Sequence, residues 1–289
     1  MEIAVISGKG GTGKSSISAA FATLQPNVVL ADCDVDAANL FLLFHPTHEK
    51  EEVFVSGFKA VIDKDVCTNC GECISYCRFD AIDEIDGEVM INETSCDGCK
   101  LCSRICPVEA ISMIQEDKSR MYSGSYRNGK MVYGRLSPGE ENSGRLVDIV
   151  REEAKNTARA NGIETIIIDG PPGIGCPVIS TITGVNQVII VTEPTLSGLH
   201  DLKRTIEVSS KFKLTTSVII NKFDLNTDMA NTIETYCNSL NINVIAKLPF
   251  DRVVVDAMLN CQSVVEFAPH SEISILLGKA FLQISNINS

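Results

Sequence analysis

Residues 3–15 read Ile3-Ala4-Val5-Ile6-Ser7-Gly8-Lys9-Gly10-Gly11-Thr12-Gly13-Lys14-Ser15. A short apolar run gives way to a glycine-rich turn, and residues 14–24 then read as a helix with several small side chains. A second buried-strand candidate follows at 28–31. Strand, loop, helix, strand is the opening of a parallel α/β sheet. The turn fits GxxxxGK[ST], with glycines that let backbone N–H groups face inward around phosphate oxygens. The following helix N-terminus adds its dipole. Lys14 can reach the terminal phosphates and the Ser15 hydroxyl can ligate magnesium. The phosphate-binding candidates are therefore Gly8, Gly10, Gly11, Thr12, Gly13, Lys14, Ser15 and Ser16.

Outward from this stretch, strands read at 165–168, 188–192, 218–220 and 244–246. Helices read at 146–160, 201–211, 227–237 and, behind Pro269, at 271–281. Near-continuous apolar strands alternating with helices imply a mostly parallel sheet covered on both faces. The pattern stops between residues 60 and 115. The expected architecture is an α/β domain of residues 1–59 and 116–289, split by a small α+β insert at 60–115. Residues 118–145, rich in Gly, Ser, Tyr and Arg, read as a hairpin and linker returning the chain to the sheet.

Eight of the twelve cysteines fall in the insert. Cys67, Cys70, Cys73 and Cys77 form one run, and Cys96, Cys99, Cys102 and Cys106 a second, followed by Pro107. Both have the spacing CxxCxxCxxxC, the bacterial two-cluster ferredoxin pattern, in which the fourth cysteine ligates the other cluster. The expected sets are Cys67, Cys70, Cys73 and Cys106 for one [4Fe–4S] cluster, and Cys96, Cys99, Cys102 and Cys77 for the other. Zinc also takes four thiolates, but as CxxC pairs at freer separation rather than two repeated four-cysteine runs. Arg78 stands where proline usually follows the fourth cysteine, which removes no ligand. Of the remaining cysteines, Cys237 and Cys261 read as buried thiols, and Cys176 as a buried thiol or, alternatively, a ligand to another metal.

Acidic groups end two of the strands. Asp32, Asp34 and Asp36 follow 28–31, at the end of a parallel strand where open α/β sheets bind ligands; a solvated turn is the alternative. Asp169 ends 165–168 and leads into Gly170-Pro171-Pro172-Gly173, the arrangement that holds magnesium directly or through water. Asn221-Lys222-Phe223-Asp224 follows a strand like a base-recognition loop, and NKxD alone also matches the guanine-reading motif of GTPases.

The string Lys9-Gly10-Gly11-Thr12-Gly13-Lys14-Ser15 resembles the deviant phosphate loop of the MinD and ParA superfamily, which includes the nitrogenase iron protein. With the DxPPG segment, the resemblance covers essentially the whole chain, as an ATPase of that superfamily carrying an inserted ferredoxin domain. It implies that Lys9 reaches across a dimer interface to the partner's phosphates, so that ATP and Mg²⁺ are sandwiched in a homodimer. It implies that Asp34 positions the attacking water, that Asp32 lies beside the magnesium, and that Asp169 is the second-switch aspartate. A comparable Asn contacts adenine in that family, which implies ATP and a base site at Asn221, Pro249 and Phe250. Residues 134–144 also look like this group, with no chemistry assigned to them. The chain departs from its relatives in three ways. The stretch 282–289 carries no basic tail of the MinD kind. Neither the bridging cysteine pair of the nitrogenase iron protein nor the late CxxC of Mrp-like carriers is present.

Charge narrows the partners. With 25 Lys and Arg against 37 Asp and Glu, the net charge of −12 argues against nucleic acid and anionic lipid. No apolar run is long enough to span a membrane, and no basic region precedes the first apolar run, so a cytoplasmic protein is expected. Residues 61–115 hold eleven acidic and four basic residues, which favours low cluster potentials and a partner with a basic patch. Three functions fit: an ATPase, slow without its partner, coupling a nucleotide-dependent dimer to electron transfer; an iron–sulfur assembly or carrier ATPase acting on an apo-target; and a nucleotide-gated interaction module with structural clusters.

Overall fold

The computed structural model describes residues 1–286. Its elements run β1 (Glu2–Ser7), α1 (Lys14–Leu24), β2 (Val28–Asp32), α2 (Leu40–Phe44), β3 (Lys50–Phe54), β4 (Gly57–Ile62), α3 (Glu72–Tyr76), β5 (Ile82–Ile85), β6 (Glu88–Ile91), α4 (Leu101–Ile105), β7 (Ile111–Glu116), β8 (Ser119–Tyr126) and β9 (Gly129–Arg135). They continue with α5 (Ser143–Asn161), β10 (Thr165–Pro172), α6 (Cys176–Ile182), β11 (Gln187–Thr192), α7 (Leu196–Lys211), β12 (Thr215–Asn221), α8 (Thr227–Ser239), β13 (Asn243–Leu248), α9 (Val253–Leu259), α10 (Val264–Phe267) and α11 (Glu272–Asn286).

Nine strands form one sheet in the order β13-β12-β11-β1-β10-β2-β9-β8-β3. Ladders from β13 through β9 are all parallel. Alternate residues such as Ile3, Val5, Leu30, Ile167 and Ile189 join α1 and α11 in one core, where Phe21 meets Phe281 at 5.3 Å. The intervening Ala4, Ile6, Val29 and Ile190 are equally buried, so both faces are covered. The expected hairpin lies at β8 and β9, whose connection of residues 127–128 is too short for anything but an antiparallel pair. It does more than return the chain, because β9 pairs with β2 and extends the sheet.

The chain divides into two compact units, Met1–Glu51 with Met121–Gly134 and Ser143–Ser289, and Glu52–Arg120 with Arg135–Asn142. The second is wider than the 60–115 expected from the cysteines. Its outer ladder runs from the Gly57–Glu116 pair to Ile62–Ile111, beyond the cysteine runs on both sides. Asp86 and Gly87, at φ 54° and 82°, make the tight turn between β5 and β6. Ala60, Cys73, Ile82, Val89 and Ile111 form its small core. The stretch 282–289, read for its missing basic tail, extends past the described residues.

Candidate functional site

The phosphate loop leaves β1 at its C-terminal end. Gly13 sits at φ 91°, and a Cβ there would stand 2.4 Å from Asn221 Nδ2, so only glycine fits. Asn221 donates from Nδ2 to the Thr12 carbonyl at 2.8 Å, which ties the base-loop candidate to the phosphate loop. Lys14 is buried and donates to Asp34 Oδ2 at 2.8 Å. Ser15 donates to Asp169 Oδ2 at 2.6 Å and Ser18 to Asp169 Oδ1 at 2.8 Å. The β2–β10 register places Asp32 opposite Asp169. Asp32 Oδ1 accepts the Asp34 N–H, and Oδ2 accepts those of Asn39 and Leu40, each at 3.2 Å. Its carboxylate thus anchors the loop that presents Asp34.

Two fully buried carboxylates side by side need positive charge. Burial and the Asp169 charge push Asp32 up to about 8 against the pull of the Leu40 N–H. Burial likewise raises Asp169, although Lys14, Ser15 and Ser18 pull the other way. Burial alone would lower Lys14; Asp169, Asp34 and Asp32 reverse that and raise it. An oxygen-rich pocket with more carboxylates than cations suits a hard divalent ion such as magnesium, with Ser15, Asp169 and Asp32 as the residues that would hold or adjoin it.

Lys9 stands 3.3 Å from Glu193 Oε2 in its own chain and donates to Ser197 Oγ at 3.4 Å. Glu193 also takes Lys222 at 2.6 Å, and these cations hold its carboxyl low in spite of its burial. A groove of about 1100 Å³ follows residues 10–16 and is bordered by Asp34, Pro172 and Pro177. A neighbouring, more apolar cavity of about 710 Å³ is bordered by Gly11, Asn221, Pro249, Phe250, Val254 and Leu277. Gly11, Gly13, Ser16 and Met258 line both, so phosphate and base candidates lie along one channel. Asp224 accepts the Phe250 N–H at 2.7 Å.

In the second unit the two cysteine runs fold alike. Gly71 at φ 74° and Lys100 at φ 66° open the short helices α3 and α4. Cys77 and Cys106 end them in extended conformation, at ψ 116° in both cases. One cavity of about 320 Å³ is lined by Cys67, Cys70, Cys73 and Cys106, together with Ile62, Val89 and Ile111. A second of about 380 Å³ is lined by Cys77, Cys96, Cys99 and Cys102, together with Ile82, Ile91 and Met113. The Ala81 N–H donates to Cys77 Sγ at 3.4 Å and the Ala110 N–H to Cys106 Sγ at 3.3 Å. Among the described residues no three His, Cys, Asp or Glu side chains converge as a single ion requires. The thiols surround volume instead, which fits a cubane with one thiolate at each corner.

Three features lie outside the sequence reading. Ser18 joins Asp169, and its place about one helical turn after Ser15 is the signal that would have found it. Glu193 follows β11 at the C-terminal end of the strand, where such sheets carry ligands, and holds both Lys9 and Lys222. Met258 carries no sequence signal at all. Cys237 is buried as expected, but Cys261 is only half-buried and Cys176, at the first residue of α6, is exposed.

Sheet order, loop and acidic strand ends define a phosphate-loop nucleotide-binding protein with a cysteine-rich second unit. The family described as the CobQ/CobB/MinD/ParA nucleotide binding domain matches residues 3–264, and the chain belongs to it. It is 36% identical over 276 residues to an uncharacterized protein of Methanocaldococcus jannaschii, covering 91% of each. Part of the chain, 59 residues, is 42% identical to pyruvate synthase subunit PorD of Methanothermobacter marburgensis, covering 20% of this chain and 69% of that one. The septum site-determining protein MinD of Pyrococcus horikoshii, solved with Mg-ADP, superposes with a TM-score of 0.60 at 18% identity, covering 100% and 97% of the chains. No helix among the described residues is long and apolar enough to cross a membrane.

Proposed function

We propose that this chain is an ATP-hydrolysing iron–sulfur protein in which a nucleotide-dependent homodimer couples the ATP state to electron transfer through two [4Fe–4S] clusters. The observation that carries the reading is the pair of cysteine-ringed cavities on the same chain as a phosphate loop. Each ring takes three cysteines from one run and the fourth from the other, the interleaving that two cubanes require. A cluster bound in such a ring supplies a one-electron carrier. The likeness of part of the chain to a pyruvate synthase subunit supports a redox role.

The chain's own groups account for the nucleotide chemistry. Lys14 exchanges Asp34 for the β- and γ-phosphates, which releases the Asp34 carboxylate to orient water. That water's oxygen bonds to the γ-phosphorus as the bond to the β–γ bridging oxygen breaks, ADP leaves with that electron pair, and the water's proton passes to the released phosphate or to solvent. Positioning and charge carry such a step. Ser15 and Asp169 would hold Mg²⁺, with Asp32 fixing the loop behind them. Lys9 leaves Glu193 to meet the phosphates of the second protomer. ATP is favoured over GTP because guanine reading needs a free carboxylate for its N–H groups, and Asp224 is engaged by Phe250. The acidic insert suits a redox partner with a basic patch.

Cys70 and Cys99, one in each ring, are exposed, and this favours a second reading in which the clusters are cargo for an apo-target. Anaerobic purification, iron analysis and ATP turnover test the main proposal. It expects two clusters' worth of iron per chain, retained over many turnovers in the presence of an apo-ferredoxin. Iron that leaves for the apo-ferredoxin as ATP is consumed would instead establish the carrier. Zinc in place of iron would overturn both.

A further inference from the structure

Residues 135–142 have no part in the chemistry above, yet they fold with the cysteine-rich unit although the chain on either side belongs to the other. We infer that this segment carries the nucleotide state to the ring of Cys77, Cys96, Cys99 and Cys102, and not to the other ring. The inference rests on the coupling proposed above and names its route.

Three anchors hold the segment. The buried Glu140 carboxylate accepts the Lys118 N–H at 3.0 Å and the Ser119 N–H at 3.2 Å, and also the Ser119 hydroxyl. The Ser119 hydroxyl in turn accepts the Ser137 N–H at 2.9 Å. The Asn142 side-chain amide donates to the Ser56 carbonyl. Lys59 is the third anchor and the decisive one. Its buried ammonium donates to the Gly139 carbonyl at 3.3 Å and to the carbonyl of Cys96 itself, and pairs with Glu116 at 3.2 Å. One cation therefore joins the segment to Cys96, a member of that ring.

At its far end the segment becomes α5 one residue after Asn142. The first turn of α5 packs on the first turn of α6, where a Cβ on Gly144 would stand 3.5 Å from that of Cys176. Arg151, buried on α5, donates to the Ser180 and Thr183 carbonyls at 2.6 and 2.8 Å. These bonds tie the two helices as one body. Pro177, at the start of α6, borders the phosphate groove. A γ-phosphate that moves Pro177 moves α6, then α5, then the segment that Lys59 holds to Cys96. Packed helices pass on such shifts because they rearrange between discrete packings rather than bend. Nucleotide moves the ring only as far as the two nucleotide states differ in their contacts with that first turn. Lys59 and Glu140 are positioning residues in this account.

Hydrogen exchange on the anaerobically purified, cluster-loaded protein tests it, with ADP and with a non-hydrolysable ATP analogue. The peptide 92–102 should change its exchange several-fold between the two nucleotides while the peptide 66–75 stays the same. Glu140→Gln and Lys59→Met should each abolish that difference while keeping iron content and nucleotide affinity. If Lys59→Met loses iron, Glu140→Gln alone decides. A difference that persists in Glu140→Gln, or that falls on 66–75, overturns the route while leaving the coupling in place. No difference in either peptide, with cluster potentials also indifferent to nucleotide, removes the coupling and the route together.

Discussion

Raising the pH of the protein freed of metal and nucleotide should destabilise its nucleotide-binding unit. The cause is the buried pair Asp32 and Asp169, whose like charges Lys14 and the hydrogen bonds from Leu40, Ser15 and Ser18 offset only in part. The folded protein keeps the Asp32 proton up to about 8, whereas an unfolded chain loses it near 3.9. Between these values the folded state binds more protons than the unfolded state. Stability from this group is complete below the lower value and is lost as pH rises through the upper one. Carboxylates with the opposite shift, such as Glu193, change their contribution below about pH 4.5 and so do not interfere in the upper window. One proton is worth roughly 1.4 kcal/mol per pH unit, so the loss between about pH 5.5 and pH 8 is about 3 kcal/mol. For a unit of this size that is a fall in Tm of about 6–12 °C. Scanning calorimetry in EDTA across that range measures it, following the transition of this unit separately because a two-unit chain need not melt in one step. Asp32→Asn should flatten the trend, and Mg²⁺ with nucleotide should remove it by supplying the missing charge. A Tm that holds level or rises with pH in the unaltered, metal-free protein would refute the reasoning about this pair.

Further outcomes follow from single contacts. Lys14→Ala should weaken ATP binding roughly 10- to 100-fold, the value of a charged hydrogen bond to phosphate, by calorimetric titration. Asp34→Asn should leave binding nearly intact but slow hydrolysis by about 10²-fold or more in a phosphate-release assay. Gly98→Ala places a Cβ 2.1 Å from the Phe58 carbonyl oxygen, so iron analysis should show loss of the cluster at Cys77, Cys96, Cys99 and Cys102 and retention of the other. Asp224→Ala should lower thermal stability by freeing the Phe250 turn, without moving the preference between ATP and GTP in competition binding.

The strands of the parallel sheet were legible because they are buried on both faces and read as unbroken apolar runs. The strands β8 and β3, at one end of the sheet, were not. In β8 the buried positions include Ser119, Ser123 and Gly124, which carry no hydrophobic signal, and β3 is Lys- and Glu-rich. The cysteines that line each cavity could be grouped from spacing because three of every four come from one short run. The reach of their unit could not, since Glu140 finds its partners at Lys118 and Ser119 and Lys59 finds its own at Cys96 and Gly139. The phosphate loop was readable for the same local reason. Resemblance supplied the expectation that Lys9 faces a dimer partner, and its pairing with Glu193 was hidden by the long separation of the two residues. Asp32 shows the same limit in another form. Its position at a strand end signalled a ligand site, but its grip on the Asp34, Asn39 and Leu40 N–H groups depends on how the following loop folds back.

Potentiometric EPR titration of the anaerobically purified protein tests the central claim most directly, read with ADP and with a non-hydrolysable ATP analogue, and with molecular mass measured on the same samples. The account predicts two [4Fe–4S] signals of low potential, and a shift in at least one midpoint that accompanies dimer formation in the ATP-analogue state. Two clusters whose potentials stay the same in both nucleotides, while the protein does dimerise, would contradict it.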